Sequence, residues 1–149
     1  MQDVNIYIYT EHKGSFAKGN GKWHVLLECQ IRALSGKIET FTMKEMGEEE
    51  DITKNRLEVL ALLKALQHLM KPCNLTIYTA SAYIASAYDH GWLQNWIEHD
   101  FKIKGKEIRH ADLWRHVADI SVDSSIRVKQ VGKTSYTAAQ RSELEHWKE

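Results

Sequence analysis

The sequence predicts one mixed α/β domain, a sheet with helices packed on it, and three observations carry that reading. Residues 4–43 hold three strand-like segments separated by turn-rich stretches. A helical pattern covers residues 52–70, with Leu57, Leu60, Leu63, Leu66 and the pair Leu69-Met70 on one face. A short apolar strand, 75–79, then runs through Thr79 directly into a helix. Open α/β sheets place their chemistry at such strand ends.

In chain order, "VNIYIY" (4–9) alternates and is rich in β-branched and aromatic residues, which marks a strand. "HKGSFAKGNGK" is a turn region carrying three of the eight glycines. "WHVLLECQI" and "KIETFTM", joined by "RALSGK", are two further strands of an antiparallel meander. The acidic run Glu48–Asp51 precedes the long helix, where it would complement the positive helix end. That helix opens on an Asn55-x-x-Glu58 capping box, and the single proline, Pro72, ends it. After strand 75–79 come a helix from Ser81 to about Tyr88, a segment with Trp92 and Trp96, and the loop "KIKGKEIRH". The helix "ADLWRHVADI", the strand "SIRVKQV" and a final helix from Thr137 to Trp147, opened by a Thr137-x-x-Gln140 capping box, complete the chain. There are no repeats, low-complexity tracts or linkers.

With 149 residues, 43% hydrophobic and 27% charged, the chain suits a single soluble domain with a sizeable core. Lys plus Arg and Asp plus Glu balance at 20 each, so any attraction to nucleic acid must come from a local patch. Cys29 and Cys73 lie far apart in strand-like surroundings, which predicts buried free thiols in a reducing compartment. The N-terminus lacks a basic segment followed by an apolar one, and no apolar run reaches the length of a membrane span. The expectation is a cytoplasmic, monomeric protein without a membrane partner.

Five motifs, "IYTEHKGS", "TKNRLEVLALLKAL", "IYTASAYI", "GWLQNWIEHDF…KGKEIRHADLW" and "AAQRSEL", resemble the ribonuclease H family over nearly the whole chain. The helix start and the spacing of tryptophans at 92, 96 and 114 are the most specific parts. The resemblance implies a ribonuclease H-like fold spanning 1–149: a mixed five-stranded sheet with helices on both faces. It also implies cleavage of the RNA strand of RNA–DNA hybrids by two Mg²⁺ or Mn²⁺ ions held by four carboxylates. Carried over by position, those carboxylates fall on Glu11, Glu58, Ala80 and Glu143, so one of the four positions is not acidic.

Two dications roughly 4 Å apart need several oxygen ligands and several negative charges. Alanine at position 80 removes one of each, and Asp89 is roughly 13 Å further along a helix. Glutamate in place of aspartate at 11 and 143 adds a rotor to a geometry in which about 1 Å of error is expensive. Without the resemblance, Glu11 reads as a solvated acid beside a turn, Glu58 as a capping residue and Glu143 as a helix-surface acid. The family pattern moreover needs a gap at "EHK", since the acid there is usually followed directly by Gly-Ser. Where relatives carry a loop histidine before the last helix, this chain has Lys133, and His68, His99, His116 and His146 read as helix-surface residues. The basic handle around 97–106 has acids in its first half and lysines in its second.

The tryptophans read as packing residues before base-stacking platforms. Nucleic-acid contacts are expected from Lys54, Asn55, Arg56, Lys102, Lys104, Lys106 and Arg109. The leading expectation is a protein directed at RNA–DNA hybrid or structured nucleic acid that binds Mg²⁺ or Mn²⁺ weakly or not at all and hydrolyses weakly or not at all. An active hybrid endoribonuclease, and an inert protein-interaction module on the same fold, are the alternatives.

Overall fold

A computed structural model describes residues 1–14 and 17–147. Ser15, which closes the first motif, lies outside the described residues. Three long strands open the fold: β1 (Gln2–His12), β2 (Gly19–Arg32) and β3 (Ile38–Ile52). They are followed by α1 (Lys54–Leu66), β4 (Cys73–Thr79), α2 (Ala82–Asp89) and α3 (Trp92–Glu98). A two-residue hairpin, β5 (Lys102–Ile103) and β6 (Lys106–Glu107), leads to α4 (Ala111–Ile120), β7 (Ser125–Gln130) and α5 (Thr137–His146).

The main sheet has the order β3-β2-β1-β4-β7. β1 pairs antiparallel with β2 and parallel with β4, β2 pairs antiparallel with β3, and β4 pairs parallel with β7. β1 therefore sits at the centre, where the chain changes from meander to parallel crossover. Strand alternation sends Val4, Ile6 and Ile8 into the core beneath α1, and Tyr7 and Tyr9 to the face covered by α5. Helices thus lie on both faces. Gly21 on β2 allows α1 to approach closely, because a Cβ there would lie 2.5 Å from Leu57 Cδ2.

Several expectations are corrected. β3 extends to Ile52, so Glu48–Asp51 belong to a strand, with Glu48 paired opposite Lys22, and no acid sits in the first turn of α1. The Asn55–Glu58 box does not form. Thr53 caps the helix, its extended backbone bringing Oγ1 within 3.2 Å of the Arg56 N–H. Pro72 does not stop α1 either; the helix tightens after Leu66, where the His68 N–H turns back to the Ala65 carbonyl. α1 is buried around most of its girth because it packs on the sheet and against α2 and α4. The Thr137–Gln140 box is likewise absent. Thr137 Oγ1 accepts from the Thr134 N–H, and Gln140 is buried.

His68 lies just past α1, half-buried, with Nε2 2.8 Å from Glu45. Both cysteines are free; Cys73 is buried and Cys29 half-buried. Trp114 is fully buried, donates its indole N–H to Tyr83 Oη at 3.0 Å and packs on Trp96. Trp92 is 42% exposed. Among the described residues, no helix is long and apolar enough to cross a membrane.

Candidate functional site

The carboxyl ends of β1 and β4 open into a cleft of about 350 Å³. Ile8, Thr10 and His12 reach it from β1, and Tyr7 and Tyr9 from the other side of the same strand. Tyr78, Thr79 and Ala80 come from the end of β4, Lys54 and Glu58 from α1, and Gln140 and Arg141 from α5. Alternation of side chains would normally separate Tyr9 from Thr10. At a strand end, both sides border the opening.

Glu58 is buried and accepts a hydrogen bond from Thr10 Oγ1 at 2.5 Å. Burial pushes its carboxyl above the usual carboxylate range, and the Thr10 hydrogen bond, Lys54 and His12 offset that only in part. The shift is a cost on the charged form, the form that would hold a hard cation. Ala80 is exposed at the mouth of the cleft. Glu58 and position 80 thus both line the cleft.

Glu11 and Glu143 do not join them. Glu11 and Tyr9 share one face of β1, and Tyr9 donates to Glu11 Oε2 at 2.7 Å, whereas Thr10 faces Glu58 on the other. The parallel pairing of β1 with β4 ends at Tyr7↔Tyr78, and Glu11 lies four residues beyond it, about 13 Å further along the strand. The sequence signal for this was the gap that "EHK" forces into the motif. Glu143 sits over β2 and β3, its carboxylate 3.0 Å from His24 Nε2 and 2.9 Å from Lys44 Nζ. Burial raises its pKa, but these partners outweigh burial and bring it below the usual carboxylate range. Neither glutamate lines the cleft.

Sequence reasoning missed what does occupy the site. Arg141 lies one helical residue beyond the buried Gln140 and donates from Nε to Tyr9 Oη at 3.2 Å. Tyr7 and Tyr78 stack with centroids 4.8 Å apart and planes 6° apart. Burial, then the Glu28 carboxylate, pushes the Tyr7 hydroxyl up to about 12. His12 clasps two carbonyls, Gly14 O at 2.7 Å and Ile52 O at 2.6 Å, and so ties the end of β1 to the end of β3. Arginine early in a last helix and a tyrosine-rich first strand were visible in the sequence, but only the fold puts them at the same opening.

The expected nucleic-acid residues divide into two groups. Lys54 lines the cleft, and Asn55 is exposed beside it. Arg56 is committed to Asp112 through two hydrogen bonds of 2.6 and 3.1 Å. Lys102, Lys104 and Lys106 are exposed on the β5–β6 hairpin, with Arg109 just beyond it. Lys102 lies 4.0 Å from Asp100, and Arg115 holds Glu107 at 2.7 Å, so part of this surface is internally neutralised.

A model of the RNase H family matches residues 3–145. The chain belongs to the ribonuclease H family. It is 31% identical over 127 residues to the Ribonuclease H of Caldicellulosiruptor saccharolyticus, spanning 85% of this chain and 81% of that protein. Its fold is similar to the crystal structure of LC9-RNase H1, a type 1 RNase H with the type 2 active-site motif, at a TM-score of 0.73 and 20% identity, covering 98% of this chain and 70% of that one. It is also similar to the foamy viral protease-reverse transcriptase in complex with RNA/DNA hybrid, at a TM-score of 0.59 and 17% identity, covering 95% of this chain and 18% of that one. Family membership makes it a ribonuclease H-like, nucleic-acid-acting protein.

The family's metal chemistry can be tested against the donors present. Two-ion hydrolysis needs a group of carboxylates around one point. Among the described residues, no three His, Cys, Asp or Glu side chains gather closely enough to hold a metal ion. Among the described residues that line it, the cleft instead combines one buried carboxyl with an ammonium and a guanidinium. These residues do not fit a pair of dications.

Proposed function

We propose that this ribonuclease H-family chain binds RNA–DNA hybrid or structured nucleic acid, with metal-dependent hydrolysis weak or lost. The observation that carries the proposal is the composition of the cleft. Among the described lining residues Glu58 is the single acid, position 80 is alanine, and Tyr9 and Arg141 share the opening. Any Mg²⁺ or Mn²⁺ bound there would meet few protein oxygens and keep most of its water. Support for the target comes from the foamy viral relative in fold, which was solved with RNA/DNA hybrid. The exposed lysines of the β5–β6 hairpin supply a basic surface of the right kind.

The test is a Mn²⁺ and Mg²⁺ titration with end-labelled hybrid, scoring binding and cleavage in the same samples. Retention of hybrid with cleavage orders of magnitude below about 1 s⁻¹ is expected. Charge reversal of the hairpin, Lys104→Glu with Lys106→Glu, should weaken binding and flatten its salt dependence, by about 0.9 in slope for each phosphate no longer neutralised. Turnover near the ordinary enzymatic range that Glu58→Gln abolishes would establish an active endoribonuclease instead.

A further inference from the structure

The misfit between the family's metal chemistry and the donors of this cleft has a positive reading. We infer that the cleft at the ends of β1 and β4 is a phosphate site in which Lys54 and Arg141 hold the phosphoryl group directly, without a divalent ion. The inference rests on the nucleic-acid reading for its natural ligand, a phosphodiester of the bound strand, but it concerns how that ligand is held.

Arg141 is exposed on α5 and spends only Nε on the protein, at 3.2 Å from Tyr9 Oη, with the Tyr9 ring 5.8 Å from its guanidinium carbon. Among the described residues, its two terminal nitrogens have no hydrogen-bond partner. That leaves the planar, two-point donor edge that matches a phosphate. Tyr9 is itself held by Glu11, so the guanidinium is oriented by a chain from Glu11 through Tyr9 to Arg141. Lys54, at the first position of α1, lines the same cleft and has no hydrogen-bond or ion-pair partner among the described residues. Its charge acts on Glu58, the single acid among the described lining residues, which is buried and hydrogen-bonded by Thr10.

Thr134 adds a hydroxyl, and the stacked Tyr7–Tyr78 pair adds an aromatic surface beside the charges. At about 350 Å³ the cleft lies within the size range of ligand sites, roughly 300–1,000 Å³. Where a dication would neutralise a phosphate between carboxylates, two side-chain cations do so here.

The test uses the whole chain in EDTA. Fluorescence anisotropy with labelled hybrid should show binding that persists without divalent ions. Arg141→Gln and Lys54→Gln, both at exposed positions, should each weaken it and lower the salt slope by about 0.9, with Arg141→Lys recovering part of the loss. Binding that disappears in EDTA and returns with Mg²⁺, or a salt slope unchanged in both Gln variants, would overturn the inference while leaving nucleic-acid binding intact. If wild type binds no hybrid under any condition, the proposed function fails, and inorganic phosphate decides the present point. A phosphate-dependent rise in Tm that Arg141→Gln removes upholds the site for free phosphate; no rise in wild type refutes it.

Discussion

Replacing Glu143 by alanine separates a structural carboxylate from a metal ligand. In the fold, Gln140 Nε2 lies 3.0 Å from the Tyr7 carbonyl and 3.1 Å from His24 Nδ1. An amide nitrogen donates, so His24 Nδ1 accepts and its Nε2–H is directed at Glu143, 3.0 Å away. His24 is fully buried. Truncating Glu143 leaves that N–H without its acceptor inside the protein, a loss of about 1–3 kcal/mol. The Lys44 ion pair, with a lysine side chain 53% exposed, adds only about 0.2–1 kcal/mol. A total near 2 kcal/mol lowers Tm by about 4–8 °C for a chain of this size. Glu143→Gln keeps an oxygen acceptor for His24 and should lose less than half as much.

The pH dependence follows from a pKa that is lowered on folding. The stabilisation is present above the ordinary carboxylate pKa and fades as pH falls through the folded value, so wild type and Glu143→Ala should converge in acid. Thermal denaturation between pH 3 and 8, with isothermal titration of Mn²⁺ at neutral pH, reads both sides. An unchanged Tm together with abolished Mn²⁺ binding would refute the structural assignment and return Glu143 to the metal site.

Three other outcomes can be checked. Glu58→Gln should stabilise the protein at pH 7 relative to wild type. A raised carboxyl pKa means that the folded form holds a proton the unfolded chain releases, so wild-type stability falls as pH rises from the ordinary value to the folded one. Denaturant curves should therefore diverge above about pH 4 and coincide below it; parallel curves would contradict the assignment. Ala80→Asp, at an exposed position, should fold with a near-native Tm yet gain no Mn²⁺-dependent hybrid cleavage, because Glu11 and Glu143 remain elsewhere. Cleavage by this single variant would show that they can return to the site. Asp112, held down to about 2 first by the Arg56 hydrogen bonds, contributes stability above its ordinary pKa of 3.8 that is lost as pH falls through the folded value. Its side chain is 64% exposed, so Asp112→Asn should cost only about 1 kcal/mol or less at pH 7 by urea denaturation.

Much of the architecture was determined locally and could be read from the chain itself. Alternation in "VNIYIY" and "WHVLLECQI", the leucine stripe of α1 and the span of α4 each reflect how one element meets a core, and that imprint is periodic. The five main strands and the helices α1, α2, α4 and α5 follow from it. The hairpin β5–β6 escaped because two residues per strand carry no period. The acidic half of β3 escaped because an exposed edge strand needs no apolar alternation.

The site divides along the same line. The absence of an acid at position 80 and the presence of Glu58 were already legible in the sequence. Motif spacing assigned Glu11 and Glu143, but it counts residues along the chain, whereas a site is made by side chains meeting across strands. The pairing of β1 with β4 brought Tyr9 and Ala80 to one opening, and alternation turned Glu11 from Glu58. The turn of α5 placed Arg141 at the opening while His24 and Lys44 took Glu143. Those choices depend on the pairing of distant segments and on which buried polar group needs a partner, so they were settled only when the chain was packed.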